Sequence, residues 1–163
     1  MPISAGDKLP SETLVRMGAD GPEQITIEEL TAGRKVILFG LPGAFTPTCS
    51  SAHVPSFMRT KDQFDVKGVD EIICVSVNDV FVMQEWGKAT GATEAGLSFW
   101  ADPAGAFTIA IGMNFDAAPV GLWGRSSRYA MLVEDGVVSI FHKEEARGVC
   151  ELSSGESMLA DMA

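Results

Sequence analysis

Lys35-Val36-Ile37-Leu38-Phe39-Gly40-Leu41-Pro42-Gly43-Ala44-Phe45-Thr46-Pro47-Thr48-Cys49-Ser50-Ser51-Ala52-His53-Val54-Pro55 is the segment whose reading decides the fold. Its first part, 35–40, is an apolar run of strand length bounded by turn residues, the pattern of a buried strand. After Pro47, small polar residues and a new amphipathic pattern mark a helix start. Cys49 therefore falls in the first turn of a helix, just past the carboxyl end of a strand. Free backbone N–H groups and the positive end of the helix dipole favour an anion there. The thiolate is the nucleophilic form of cysteine, so this is a position suited to a sulfur that must react.

Working outward, 13–17 reads as a short strand followed by a turn at 18–21. Thr26 caps a short helix through Glu29 that ends at Gly33. The Cys49 helix carries Phe57, Met58, Phe64 and Val66 on to Gly68, and Pro55 inside it predicts a kink. A second buried strand is expected at 70–77, and Asn78-Asp79 caps a helix bearing Val82, Trp86 and Ala89. A short strand at 97–100 and a short helix at 103–111 follow, and 112–127 reads as a loop. Strands 129–134 and 137–141, joined by Asp135-Gly136, form a hairpin. Ser153-Ser154-Gly155-Glu156 has the pattern of a capping box opening a last helix to Met162. This order predicts an α/β layer fold, a central sheet with helices on both faces. The reactive centre lies at a strand's carboxyl end, the usual place for sites in such sheets.

The 163 residues fit one domain, 1–163, with a sizeable core. A formal net charge of −10 argues against nucleic acid and anionic membranes as partners. No apolar run approaches the length of a membrane span. The first residues lack a basic stretch followed by an apolar core, and a cytoplasmic location is expected. The three cysteines, Cys49, Cys74 and Cys150, are an odd number, which favours free or redox-active thiols over a disulfide framework.

The residues around Cys49 discriminate among the chemistries of a thiolate. Ser50-Ser51-Ala52 supplies no second cysteine for a Cys-x-x-Cys exchanger. Cys49 and His53 are an i, i+4 pair without further ligands at local spacing, so no metal and no other cofactor is expected. A cysteine hydrolase needs a histidine base and an orienting residue, and the chain has only His53 and His142. His53 reads first as a structural histidine bonded within its own helix and loop, with a minor electrostatic role near Cys49 as the alternative. Peroxide reduction fits better. It calls for a hydroxyl beside the sulfur, a fixed cation and backbone N–H groups in a water-poor loop. Thr46 is placed to hydrogen-bond sulfur or peroxide, and Pro42 to shield the pocket. Arg128, opening a buried strand, is the candidate cation, and Arg125, in the loop, is its solvated competitor. Lowering a thiol pKa from about 8.5 to about 6 raises the thiolate fraction at neutral pH only from a few per cent to roughly 90%. Most of the rate must therefore come from donors aimed at the departing oxygen.

Pro42-Gly43-Ala44-Phe45-Thr46-Pro47-Thr48-Cys49 resembles the Pro-x-x-x-Thr-x-x-Cys signature of peroxiredoxins. The string through Pro55, the stretch 68–79 with Phe81, Val82, Met83 and Trp86, then Ala101-Asp102-Pro103 and 127–133, resemble the type II, peroxiredoxin-five-like subfamily. The resemblance implies a thioredoxin-like fold with a mixed sheet, and a thiol peroxidase acting on hydrogen peroxide and alkyl hydroperoxides. Cys49 would be the peroxidatic cysteine, with Thr46, Arg128 and Pro42 completing the pocket. The backbone N–H groups of Thr48 and Cys49 would bind the peroxide. A peroxide-sensing protein with little turnover is the alternative.

The family often dimerises near the active-site loop, and Phe45, Val80, Phe81, Leu122 and Trp123 are apolar residues suited to such a homodimer contact. A sulfenic acid at Cys49 must be resolved by a thiol. Cys74 resembles in position the second cysteine of plant-type members but sits in an apolar strand, and Cys150 lies in a looser approach to the last helix. Glutathione with glutaredoxin, or thioredoxin, as external reductant is the leading expectation.

Overall fold

The computed structural model describes residues 2–146 and 148–162. Its strands are β1 (Thr13–Gly18), β2 (Gly21–Thr26), β3 (Lys35–Gly40), β4 (Glu71–Ser76), β5 (Ser98–Ala101), β6 (Asn114–Ala117), β7 (Leu122–Ser126), β8 (Tyr129–Glu134) and β9 (Val137–Lys143). The α-helices are α1 (Ile27–Thr31), α2 (Val54–Val66), α3 (Val80–Ala89), α4 (Ala106–Ala110) and α5 (Gly155–Asp161).

β3 organises the rest. Successive side chains of a strand point to opposite faces. Ile37 and Phe39 enter one apolar cluster with α2, α3 and α5 residues such as Phe57, Trp86 and Met158. Val36 and Leu38 enter another with Ile27 and Leu30 of α1 and Phe107 of α4. All four β3 side chains have no exposure. A strand covered on both faces belongs inside a sheet, and the seven-stranded order is β2-β1-β5-β4-β3-β8-β9. β3, β4 and β5 run parallel, while β8 and β1 join this trio antiparallel. The expected mixed sheet with helices on both faces is thus the architecture found.

Local signals held where the bonds they imply are local. Thr26 and Glu29 form a reciprocal capping box on α1. Asp79 caps α3 by accepting the Val82 N–H at 2.8 Å. Asp135 and Gly136, both at positive φ, make the two-residue turn between β8 and β9.

Two expectations are corrected and one strand was missed. The stretch 112–127 holds β6 and β7, a separate two-stranded sheet, rather than only loop. β2 was not read as a strand because Pro22 and its polar neighbours obscure it; at a sheet edge a proline's missing donor costs no ladder bond. The last helix is capped by Ser154, which accepts from Ser157 N–H, so Glu156 is not its capping-box partner and pairs with Arg59 instead.

Gly40 ends β3 opposite Tyr129 of β8, and a Cβ there would lie 2.3 Å from the tyrosine ring. Tyr129 is fully buried and cannot retreat into solvent. Gly40→Ala is expected to destabilise the protein by about 1–3 kcal/mol through overpacking, read as a lower urea midpoint at unchanged slope.

Candidate active site

The turn after β3 is fixed before any chemistry is considered. Ala44 N–H donates to Asn78 Oδ1 at 3.0 Å, and Ser76 Oγ donates to the same oxygen at 2.6 Å, so the end of β4 pins the end of β3. Phe45 holds a left-handed φ of 64°, the kind of strain that persists only where the surroundings over-determine it. Ser50 N–H donates to Thr46 O at 3.1 Å, the first helical bond. The amides of Thr48 and Cys49 therefore precede the ladder and have no intrahelical acceptor.

Pro55 produces something other than a simple kink. It has no N–H to give, and Cys49–His53 winds as a π-helical turn in which Val54 N–H reaches Cys49 O. The wider turn absorbs the proline and leads directly into α2. Such π turns often mark functional positions in helices. Trp86 of α3 braces this one, its indole N–H donating to Ser50 Oγ at 2.9 Å.

Cys49 has no solvent exposure, and Arg128 is only 5% exposed. Arg128 Nη2 donates to Cys49 Sγ at 3.3 Å, and Nη1 donates to His53 Nδ1 at 3.1 Å. His53 Nε2 lies 3.0 Å from the Ser153 carbonyl oxygen. A carbonyl only accepts, so Nε2 carries the proton and Nδ1 presents its lone pair to the guanidinium. Burial first, then the Arg128 charge, hold His53 well below its ordinary pKa, against the Ser153 carbonyl, which raises it. The imidazole is neutral and packs at a tilt against the rings of Phe39 and Phe57. The reading of His53 as bonded within its own helix and loop is thus corrected: its partners are Arg128, just before β8, and Ser153, just before α5.

Thr46 Oγ1 spends its single proton on Gly43 O at 2.7 Å. What it offers the site is a lone pair, an acceptor for a peroxide O–H rather than a donor to sulfur. Pro42 is buried, and Arg125 Nη1 donates to its carbonyl at 3.3 Å. Arg125 lies in β7 and clasps the Pro42 turn, so it is not the solvated competitor expected. Arg128 Nε is buried and has no partner among the described residues, a donor still open. A cleft of about 210 Å³ opens beside this group, lined by Pro42, Phe115, Ser127, Arg128, Lys143 and Gly148 among others.

All three cysteines are free. Cys74 lies mid-β4 between Phe39 and Phe99 with no exposure. Burial, and secondarily the nearby Cys49, push its thiol well above the ordinary range. Cys150 is half-buried in the segment before α5, with its sulfur 4.0 Å from Ser153 Oγ, and burial raises its thiol pKa too. Among the described residues no group of three or more His, Cys, Asp or Glu is arranged to hold a metal ion.

Residues 4–159 match the Redoxin family. Peroxiredoxin-2E-2, chloroplastic, of Oryza sativa subsp. japonica is 47% identical over 161 residues, covering 96% of this chain and 71% of the relative. Peroxiredoxin-2E, chloroplastic, of Arabidopsis thaliana is 46% identical, covering 96% and 68%. The crystal structure of reduced Prx3 from Vibrio vulnificus in complex with hydrogen peroxide superposes with a TM-score of 0.91 at 44% identity over 99% of both chains. Peroxiredoxin 5 from Alvinella pompejana superposes at 0.86 with 32% identity, covering 99% and 98%. The chain belongs to the Redoxin family and has its thioredoxin-like fold. Within that family it is a type II, peroxiredoxin-five-like peroxiredoxin, a thiol-dependent peroxidase that reduces peroxides at the expense of a thiol reductant. The same comparison overturns the cytoplasmic expectation, because the rice and Arabidopsis relatives are chloroplastic proteins. Free thiols persist in any reducing compartment, so cysteine usage does not single out the cytoplasm.

The buried neutral His53 has a consequence for stability. Its folded pKa lies below the unfolded value near 6.5, so the unfolded chain takes the proton first. Its contribution is fully present above about pH 6.5 and is lost as the pH falls toward the folded pKa. Urea midpoints between about pH 5 and 7.5 should fall on acidification more steeply for the native protein than for His53→Gln, by up to about 1.4 kcal/mol per pH unit. Equal slopes would show that His53 does not titrate on unfolding.

Proposed function

We propose that Cys49 is the peroxidatic cysteine and that Thr46, Arg128, Pro42 and the amides of Thr48 and Cys49 form the pocket in which it meets peroxide. The observation that carries this reading is the buried Arg128 Nη2–Cys49 Sγ contact of 3.3 Å. A guanidinium N–H on a thiolate is a charge-assisted bond, about 1.5–3 kcal/mol in strength. The thiolate attacks one peroxide oxygen in line, the S–O bond forms as the O–O bond breaks, and the departing oxygen leaves as hydroxide or alkoxide and takes up a proton. Thr46 Oγ1 accepts the peroxide O–H, while the open Nε of Arg128 and the first-turn amides donate to charge developing on oxygen. The relative from Vibrio vulnificus was crystallised reduced with hydrogen peroxide, and its likeness over the whole chain supports this reading.

Reduction of the resulting sulfenic acid falls to an external thiol, with glutathione and glutaredoxin, or thioredoxin, as the reductant. Two thiols consume the sulfenic acid, giving back Cys49, a disulfide and water. This assignment is supported by the core position of Cys74 and by Cys150 facing Ser153. The whole chain acts as one domain. It works as a homodimer through the rim of the active-site turn, where Phe45, Phe81 and Trp123 are 58%, 62% and 64% exposed. Val80 is core and Leu122 half-buried, so the exposed aromatic residues supply most of the surface for that contact. The bonds Ala44–Asn78 and Arg125–Pro42 bring the segments bearing Phe81 and Trp123 beside the turn bearing Phe45. Exposed aromatic residues gathered in this way mark an interaction surface.

Peroxide consumption with supplied glutathione and glutaredoxin, or with thioredoxin, tests the catalytic assignment. Cys49→Ser is expected to abolish turnover, Arg128→Lys to lower kcat/KM about 10²–10³-fold and Thr46→Val about tenfold or more. Mass spectrometry after one equivalent of peroxide should find Cys49 as sulfenic acid or as a mixed disulfide with added thiol. Full turnover in Cys49→Ser would sink the assignment, and stoichiometric oxidation without turnover would favour a sensor. For the dimer, sedimentation of a Phe81→Asp, Trp123→Asp double variant should give monomers at concentrations where the native chain is dimeric. An unchanged dimer would move the contact elsewhere.

A further inference from the structure

Glu144, immediately after β9, is a carboxylate only 6% exposed, and no ion pair to it is present among the described residues. Its charge is met by N–H and O–H donors from the strap of chain at 148–153. Oε2 accepts from Glu151 N at 2.9 Å, Ser153 N at 2.7 Å and Ser153 Oγ at 2.6 Å, and Oε1 accepts from Leu152 N at 3.3 Å. Burial favours the neutral carboxyl, but the Ser153 hydroxyl and the amides of Ser153, Leu152 and Glu151 outweigh it and hold the group below its ordinary pKa.

The other end of the residue leads to the active site. Glu144 N–H donates to Arg128 O at 3.0 Å, continuing the β8–β9 ladder past Tyr129–Lys143. Glu144 is therefore tied by its backbone to Arg128 and by its side chain to Ser153. The Ser153 carbonyl fixes the His53 tautomer, and His53 Nδ1 in turn holds Arg128 Nη1. The path leaves Arg128 by its main chain and returns to its guanidinium. A second tie joins the strap to the site, Thr48 Oγ1 donating to Gly148 O at 3.0 Å one residue before Cys49.

We propose that Glu144 is a positioning residue for peroxide reduction: by clamping the 148–153 strap it fixes Ser153 and His53, and through them aims Arg128 at the Cys49 sulfur. The inference rests on the peroxidatic reading of Cys49. When the strap leaves, His53 loses the acceptor that keeps its proton on Nε2. A proton on Nδ1 would face the guanidinium N–H, and a donor cannot hold a donor. Arg128 then loses its fixed orientation, and donors off by an ångström forfeit much of their effect on the transition state. Strap closure and assembly of the site become one equilibrium, and Cys150, carried on the strap, reports its position.

Glu144→Gln tests this, because an amide of the same shape presents an N–H where the strap's donors need an acceptor. Stopped-flow oxidation of Cys49 by hydrogen peroxide, followed through tryptophan fluorescence, is compared with iodoacetamide alkylation of each cysteine followed by mass spectrometry. Glu144→Gln should slow peroxide oxidation about tenfold or more, slow Cys49 alkylation far less and speed alkylation of Cys150. Ser153→Ala removes one donor but keeps the carbonyl, so it should fall between and carries the test if Glu144→Gln fails to fold. Because both residues act through Arg128, the Glu144→Gln, His53→Gln double variant should be about as slow as the slower single variant. A peroxide rate within about twofold of the native protein in the folded single variant, or multiplied effects in the double variant, would overturn the proposal. A native protein whose Cys49 does not react with peroxide would instead overturn the peroxidatic reading itself.

Discussion

Arg128 is a cation buried without a carboxylate partner among the described residues. Among the described residues its side chain meets only the Cys49 sulfur and a neutral imidazole. Removing a guanidinium from water costs several kcal/mol unless a counter-charge and hydrogen bonds replace the lost hydration. The imidazole supplies a hydrogen bond but no charge. In the cycle proposed for Cys49, the charge that faces the guanidinium would be carried by the sulfur itself. Once the sulfur becomes a neutral sulfenic acid in the proposed cycle, the guanidinium keeps neighbours but loses its counter-ion.

Everything around the pair serves to keep that contact from relaxing. β3 and β8 are adjacent strands, and Gly40 opposite Tyr129 lets them run side by side to the point where the Pro42 turn leaves. The turn is held by Asn78 from the β4–α3 connection and Arg125 from β7, and the π-helical turn that follows is braced by Trp86 of α3. Each brace comes from a different element. No one of them has to be strong, because a displacement of the sulfur would break several at once.

The parts of this arrangement legible in sequence are those written into neighbouring residues. The 35–40 strand, the Asp79 cap and the Asp135-Gly136 turn are fixed by patterns a few residues long, and they formed as read. Cys49 at the start of its helix, just past β3, belongs to the same class. Arg128 was visible as an arginine at a strand mouth, but spacing could not separate it from a surface ion-pair partner, and the family resemblance supplied that weight. His53 and Glu144 were misread or passed over because their partners lie 75 to 100 residues away for the histidine and on the strap for the glutamate. A polar stretch containing Glu144, Glu145 and Glu151 looks solvated, and nothing local marks the one that folds inward. β2, β6 and β7 escaped for a related reason: short edge or paired strands carry little buried surface, so they leave a weak apolar pattern.

The same contrast between local and distant constraint separates the two remaining thiols. Cys74 is locked into a parallel ladder on both sides and packed in the apolar cluster that contains Cys49. Moving it toward another sulfur would require breaking the central sheet, the most cooperative part of the molecule. Cys150 rides on chain that has no regular structure and is held mainly by hydrogen bonds to Glu144 and Thr48. Those bonds are few and hold the strap by polar contacts, whereas Cys74 is held by a ladder and an apolar cluster together. Proximity in a static structure therefore matters less for the chemistry of each thiol than the free energy needed to release the element that carries it. By that measure Cys74 is a core residue that happens to bear sulfur, and Cys150 lies on a strap that is no part of the sheet.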